Sequence, residues 1–181
     1  MSGKWNWNMY RLFLLLALLL PVSAHAIAPL PDAVIGKLPE LRPVGEGRLR
    51  WFGLHIYDAA LWTQVETFRM DSEFALDIHY ARNIPSKRLI KTSVKEMRRL
   101  GFGTPGLLSQ WSDEMVRVFP DIRKGDRLTG VNLPGAGAEF FYNGRSVGLI
   151  GDAQFARAFF SIWLDPRTRA PSLRESMIGQ D

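Results

Sequence analysis

The chain contains no cysteine. That excludes a disulfide framework, a thiolate metal site, a cysteine nucleophile and a lipid-anchored lipoprotein. Histidine is scarce, with three in 181 residues, and one of these is His25, close to the N-terminus. No block of like charge of the kind that marks a nucleic-acid arm occurs. The formal net charge of +5 falls to +3 once Lys4 and Arg11 are set aside. No Gly-x-Ser-x-Gly elbow is present, and Ser109, Ser112 and Ser161 fall in helical stretches. The Gly-rich pieces Gly45-Glu46-Gly47 and Gly135-Ala136-Gly137 do not open a helix after a strand, so neither cradles a phosphate. The apolar run at residues 12–20 is shorter than the roughly 20 residues a bilayer span needs.

That apolar run suits a different purpose. Lys4 and Arg11 give a positive start, Pro21 ends the run, and Ala24-His25-Ala26 is a small-x-small cleavage site. Residues 1–26 therefore read as a signal peptide cleaved after Ala26; the alternative is an uncleaved N-terminal anchor. The mature chain of about 155 residues is one domain by size and long enough to bury a core without staples. It is expected to keep no membrane span and to bind no nucleic acid.

Residues 27–40 carry prolines 29, 31 and 39 and read as an extended lead-in, with the folded domain over residues 41–181. Residues 45–62 read as one long strand, apolar on both alternating sets and so covered on both faces. Gly45 and Gly47 let the chain bend tightly onto it. His55 and Asp58 are its polar outliers. Residues 74–82 alternate more cleanly and form a second strand. The period then becomes helical: Ser86 can cap a helix with the stripe Leu89, Ile90, Val94, Met97 and Leu100, stopped by Gly101. Thr104-Pro105 opens a second helix with Thr at the cap and Pro in the first turn. Strands at 128–133, 138–142 and 145–150 follow, the last two joined by Asn143-Gly144, a strong hairpin signal. Asp152 caps a third helix, and residues 172–178 form a fourth. Strands and helices are segregated, which predicts α+β: a mainly antiparallel sheet with a helical layer on one face.

Two clusters bear chemistry. His55 and His79, with Asp58 and Asp77 nearby, have the residue types of a metal site but no ligand spacing on one element, and histidines hydrogen-bonded in the sheet are the plainer reading. No metal and no cofactor are expected. The second cluster is cationic and phenolic: Arg48 and Arg50 at the start of the long strand, His55 and Tyr57 along it, Tyr80 and Arg82 at the end of the next. An arginine and a tyrosine hydroxyl at the end of an apolar cleft suit an amphiphilic or aromatic acid, the guanidinium forking the carboxylate and the cleft taking the tail. The same residues also fit solvated strand ends and half-buried tyrosines.

Several segments resemble one family. They are Gly45-x-Gly47 followed by Trp51-Phe52-Gly53-Leu54-His55-Ile56-Tyr57-Asp58-Ala59-Ala60-Leu61-Trp62; Tyr80-Ala81-Arg82-Asn83-Ile84-Pro85; Lys124-Gly125-Asp126; Pro134-Gly135-x-Gly137; Tyr142-Asn143-Gly144-Arg145; and Phe159-Phe160-Ser161-Ile162-Trp163-Leu164-Asp165-Pro166-Arg167. Taken in this order, from about residue 41 to 179, they resemble the bacterial, exported chalcone isomerase-like proteins. The resemblance implies an open-faced sandwich with a ligand cleft between sheet and helices, and a periplasmic location. Members of that family either close a flavanone ring, using an arginine, threonines, a tyrosine and an asparagine, or bind fatty acids through an arginine and a tyrosine without catalysis. By ungapped counting the arginine slot is Leu49 here, flanked by Arg48 and Arg50. The threonine slot is Phe52, and the tyrosine and asparagine slots are Pro85 and Thr92. The isomerase set therefore does not carry over.

The expectation is a non-catalytic periplasmic binder of a lipid-like or aromatic acid, with Arg48, Arg50, His55, Tyr57, Tyr80 and Arg82 as the ligand-binding set. Two alternatives stay open. One is an intramolecular isomerase or lyase acting on a small aromatic or enone substrate through Tyr57, Tyr80 or a histidine. The other is an interaction protein whose cleft is filled.

Overall fold

A computed structural model describes residues 27–179; the leader expected at residues 1–26 lies outside the described residues. The elements run α1 (Asp32–Lys37), β1 (Arg42–Trp51), β2 (Leu54–Thr63), β3 (Phe74–Tyr80), α2 (Ser86–Arg99), α3 (Pro105–Val118), β4 (Arg127–Leu133), β5 (Gly137–Tyr142), β6 (Arg145–Ile150), α4 (Ala153–Leu164) and α5 (Pro171–Ile178). The six strands form one antiparallel sheet in sequential order. This is the expected α+β layout with one more strand than the sequence suggested.

The extra strand comes from the stretch at residues 45–62, which is not one strand but a hairpin. Trp51 pairs with Leu54, and Phe52 and Gly53 between them have φ of 47° and 76°. Two central residues at positive φ make the two-residue turn whose twist matches the strands. Its usual signal is Asn-Gly or Asp-Gly. Here only the glycine is of that type, and the apolar residues around it disguise the reversal. The Asn143-Gly144 hairpin forms as expected, with φ of 48° and 81°.

The helix starts follow the sequence closely, with one exchange of partners. Thr104 Oγ1 accepts from the Leu107 N–H, with Pro105 in the first turn. Asp152 accepts from the Gln154 and Phe155 N–H groups at 2.7 and 3.1 Å. At α2, however, the Ser86 N–H donates to Asp121 Oδ1 at 2.7 Å, so an aspartate distant in sequence serves the end that Ser86 was expected to cap.

One face of the sheet packs on α2, α3 and α4. Leu61, Phe74, Leu76 and Phe140 meet Met97, Trp111, Met115, Phe155 and Phe160 there, all at most 2% exposed. Helix α5 lies directly on β1, and the Gly-x-Gly pair explains how: a Cβ at Gly45 would sit 2.2 Å from the Ser176 carbonyl oxygen, and one at Gly47 2.8 Å from Leu173 Cδ1. These glycines admit the helix, and a register shift between Pro43 and Gly45 interrupts β1 at the same place.

The other face is covered in part by the lead-in, which is not simply extended. Leu30, Val34, Leu38 and Leu41 bury against Ala60, Trp62, Ala75, Val131 and Phe141, and Lys37 of α1 pairs with Glu139 of β5. Leu30, Val34 and Leu38 recur every four residues, a helical stripe that the flanking prolines obscure. Each buried aliphatic side chain contributes about 1.5–3 kcal/mol, which is enough to hold the segment down.

Candidate functional site

The seam between the sheet and the helical layer is the place where the sequence put a ligand cleft. It is nearly full. The space left among Leu76, Ile78, Tyr80, Leu89, Phe159 and Trp163 is about 10 Å³, room for a single water at most. Phe159 fills the middle, with ring centroids 5.2 Å from Phe140, 5.5 Å from Phe155 and 5.3 Å from Trp163.

Two of the expected ligand residues face this seam. The Tyr57 hydroxyl accepts a hydrogen bond from Trp163 Nε1 at 2.8 Å, and the Tyr57 and Tyr80 rings meet edge-on at 5.8 Å. Burial pushes the ionisation of both phenols well up; the Trp163 hydrogen bond offsets part of this for Tyr57, and repulsion from Tyr57 adds to it for Tyr80. Both therefore stay neutral, and neither meets a guanidinium.

The other four expected residues are not brought to the seam. Leu49 pairs with Tyr57 and packs against the core, so its neighbour Arg48 points to the opposite side, as alternation on a strand demands, and Arg50 lies beyond a register shift, paired with His55. Arg48 Nε donates to Asp58 Oδ1 at 2.6 Å. His55 Nε2 lies 3.1 Å from Asp58 Oδ2, out of line for a hydrogen bond. Arg50 is exposed. Arg82 is exposed and reaches back to donate to the His55 carbonyl at 3.2 Å. The set thus divides into two buried phenols on one face and a cationic group at the end of the sheet.

The histidine and aspartate cluster of the sequence is part of a larger group, whose further members Arg127 and Thr129 were missed because they lie on a strand distant in sequence. Arg48, Asp58, His79 and Arg127 stand in one row across β1 to β4. Beside the row, Asp77 is 1% exposed. Both its oxygens are engaged by Arg127 at 2.7 Å; Thr129 Oγ1 donates to Oδ1 at 2.7 Å, and His79 Nε2 lies 3.0 Å from Oδ2. Burial alone would push the Asp77 pKa up; the contacts from His79, Arg127 and Thr129 outweigh it and hold the carboxyl below its usual range. Arg127 also donates to the Pro29 carbonyl at 2.7 Å. This cluster clamps the lead-in to the sheet.

Open space lies elsewhere. A groove of about 900 Å³ runs between α2 and α3, with Ile90, Val94 and Val116 as its floor and Lys87, Lys91, Lys95 and Arg98 along its rim. Val116 is 65% exposed. No acidic side chain lines the groove, and none of the four cations forms an ion pair among the described residues. Positions 87, 91 and 95 are spaced by four, so they share one helix face, where like charges repel. That spacing was visible in the sequence. An apolar strip beside a cationic row is the combination that an amphiphilic anion needs, and the groove is open to solvent along its length.

Comparison with known proteins fits this architecture. A protein of Haemophilus influenzae described as uncharacterized is 29% identical over 140 residues, covering 77% of this chain and 68% of its own. The crystal structure of an Arabidopsis thaliana fatty-acid binding protein superposes with a TM-score of 0.59 at 12% identity, over 77% of this chain and 87% of that one. At that identity the likeness speaks for the fold alone. The family described as chalcone isomerase-like matches residues 30–179. With that match spanning nearly all of the described fold, the chain belongs to the chalcone isomerase-like family.

Proposed function

We propose that this protein is a non-catalytic binder of a lipid-like or aromatic acid, working in the periplasm after export. The observation that carries the reading is the α2–α3 groove, where Ile90, Val94 and Val116 lie beneath Lys87, Lys91, Lys95 and Arg98. The structural likeness to a fatty-acid binding protein supports a ligand of this class. The positive start, apolar run and small-x-small site of residues 1–26 support export.

Magnitudes divide the work between floor and rim. An exposed ion pair contributes about 0.2–1 kcal/mol, whereas each methylene removed from water contributes about 0.8 kcal/mol. The chain or ring of the ligand therefore supplies most of the affinity. The cations choose the acid over the neutral alcohol or ester and orient it. The seam takes no part in this reading, because its aromatic filling leaves no room and it offers no cation.

Calorimetric titration with dodecanoate tests the proposal. Wild type should bind with micromolar affinity, dodecanol should bind about two- to fivefold more weakly than the acid, and the charge-reversed pair K91E/K95E, which replaces two attractions by two repulsions, should weaken the acid by more than that. An absence of binding, or affinity untouched by the charge reversal, would overturn it.

A further inference from the structure

The tip of the β1–β2 hairpin is built against the interests of the fold. Phe52 stands at φ 47°, a region that Asn, Asp or Gly enters easily and a bulky side chain enters under strain. Its ring is 89% exposed, and its neighbours Trp51 and Leu54 are 59% and 49% exposed. The strain is thus not repaid by burial. Trp51 and Phe52 do pack on each other, edge to face at 5.2 Å and 82°, which makes the tip a preformed wedge.

The charge around the wedge is predominantly positive. Arg50 precedes it on β1 and is exposed, and Arg82 is fixed at its base by the hydrogen bond to the His55 carbonyl. The antiparallel order brings the loop before β4 and the β5–β6 turn to the same end of the sheet; these add Arg123, Lys124 and Arg145, all exposed. Three acids, Asp58, Asp121 and Asp126, share this end and are outnumbered two to one by Arg48, Arg50, Arg82, Arg123, Lys124 and Arg145. Asp58 is held by Arg48, Asp121 by the Ser86 N–H, and Asp126 by Tyr142, Asn143 and the Arg123 N–H.

We infer that this end of the sheet docks on a bilayer carrying anionic headgroups, with Trp51, Phe52 and Leu54 entering the interface and the arginines lying among the phosphates. Aromatic side chains settle at the boundary between water and hydrocarbon, and cations beside them add attraction to anionic lipid. The docking is peripheral: among the described residues no helix is long and apolar enough to cross a membrane. The inference stands apart from the groove and does not need it.

Vesicle flotation tests it, using the full chain in wild-type and F52N forms side by side so that anything shared by their N-termini cancels. Asparagine suits the turn, so F52N should melt at the same temperature as wild type or higher. Wild type should partition onto vesicles containing 30% phosphatidylglycerol at least tenfold more than F52N does. Partitioning of both proteins should weaken on pure phosphatidylcholine and with added salt, because the cations are common to both. Equal partitioning of the two proteins, or no preference for the anionic vesicles, would overturn the inference. So would a wild-type dimer that F52N dissolves, since the tip would then serve a second copy of the chain.

Discussion

Trp163 of α4 donates its indole N–H to the hydroxyl of Tyr57 on β2 at 2.8 Å, a bond between residues 106 positions apart that spans the seam from helix to sheet. It gives the Tyr57 hydroxyl a structural role in place of the ligand-holding one the sequence suggested. Tyr57→Phe should leave the Trp163 N–H without its partner, and a buried donor left so costs about 1–3 kcal/mol. Urea denaturation should show that loss while dodecanoate affinity stays as in wild type. A variant of unchanged stability and weakened affinity would return Tyr57 to the ligand site.

The Arg127–Asp77 clamp makes stability depend on pH in one direction. The Asp77 carboxyl is held below its usual range in the folded protein, while an unfolded aspartate titrates near 3.9. A depressed pKa contributes stability that is present above about pH 4 and is lost as pH falls through the folded value. Asp77→Asn should therefore lower stability at pH 7 and flatten the acid limb below about pH 4. Arg127→Ala leaves the buried carboxylate without its main partner, a change worth about 3–5 kcal/mol. It also frees the Pro29 carbonyl, so amide exchange in residues 30–41 should rise first.

The rim of the groove predicts a stability gain coupled to a functional loss. Lys91 stands four residues from both Lys87 and Lys95, and each such pair shifts helix stability by about 0.2–0.5 kcal/mol. Lys91→Glu turns two repulsions into two attractions and should stabilise the protein by roughly 0.8–2 kcal/mol while weakening binding of the acid. Thermal melts and calorimetry on the same preparation check both halves. A variant that is less stable, or that binds as well as wild type, would contradict this reading of the rim.

How far the sequence could be read depended on whether a feature was local. The α2 stripe, the Thr104-Pro105 start, the Asp152 cap and the Asn143-Gly144 turn are each specified by residues within a few positions, and each forms. The reversal at Phe52-Gly53 was missed because a bulky apolar residue occupies the position that usually signals a turn. That one miss joined two strands into one and pointed Arg48 and Arg50 toward a cleft they do not face. The covering by residues 30–41 was hidden because prolines mask a four-residue repeat. The Asp77 cluster depends on which strands lie side by side, and no sequence spacing reports that. The filling of the seam is likewise a matter of three-dimensional volume: the helix that Asp152 caps was legible, but not that its Phe159 and Trp163 fill the cleft. The cationic row on α2 was present in the sequence as spacing, and it was passed over because it forms no contiguous block.

A titration of methyl-labelled protein with dodecanoate, followed by NMR, tests most directly where the ligand lies. The groove reading predicts saturable shifts at the Ile90, Val94 and Val116 methyls, with Leu76, Ile78 and Leu128 in the seam unmoved. Shifts confined to the seam, or none at any of these methyls, would contradict it.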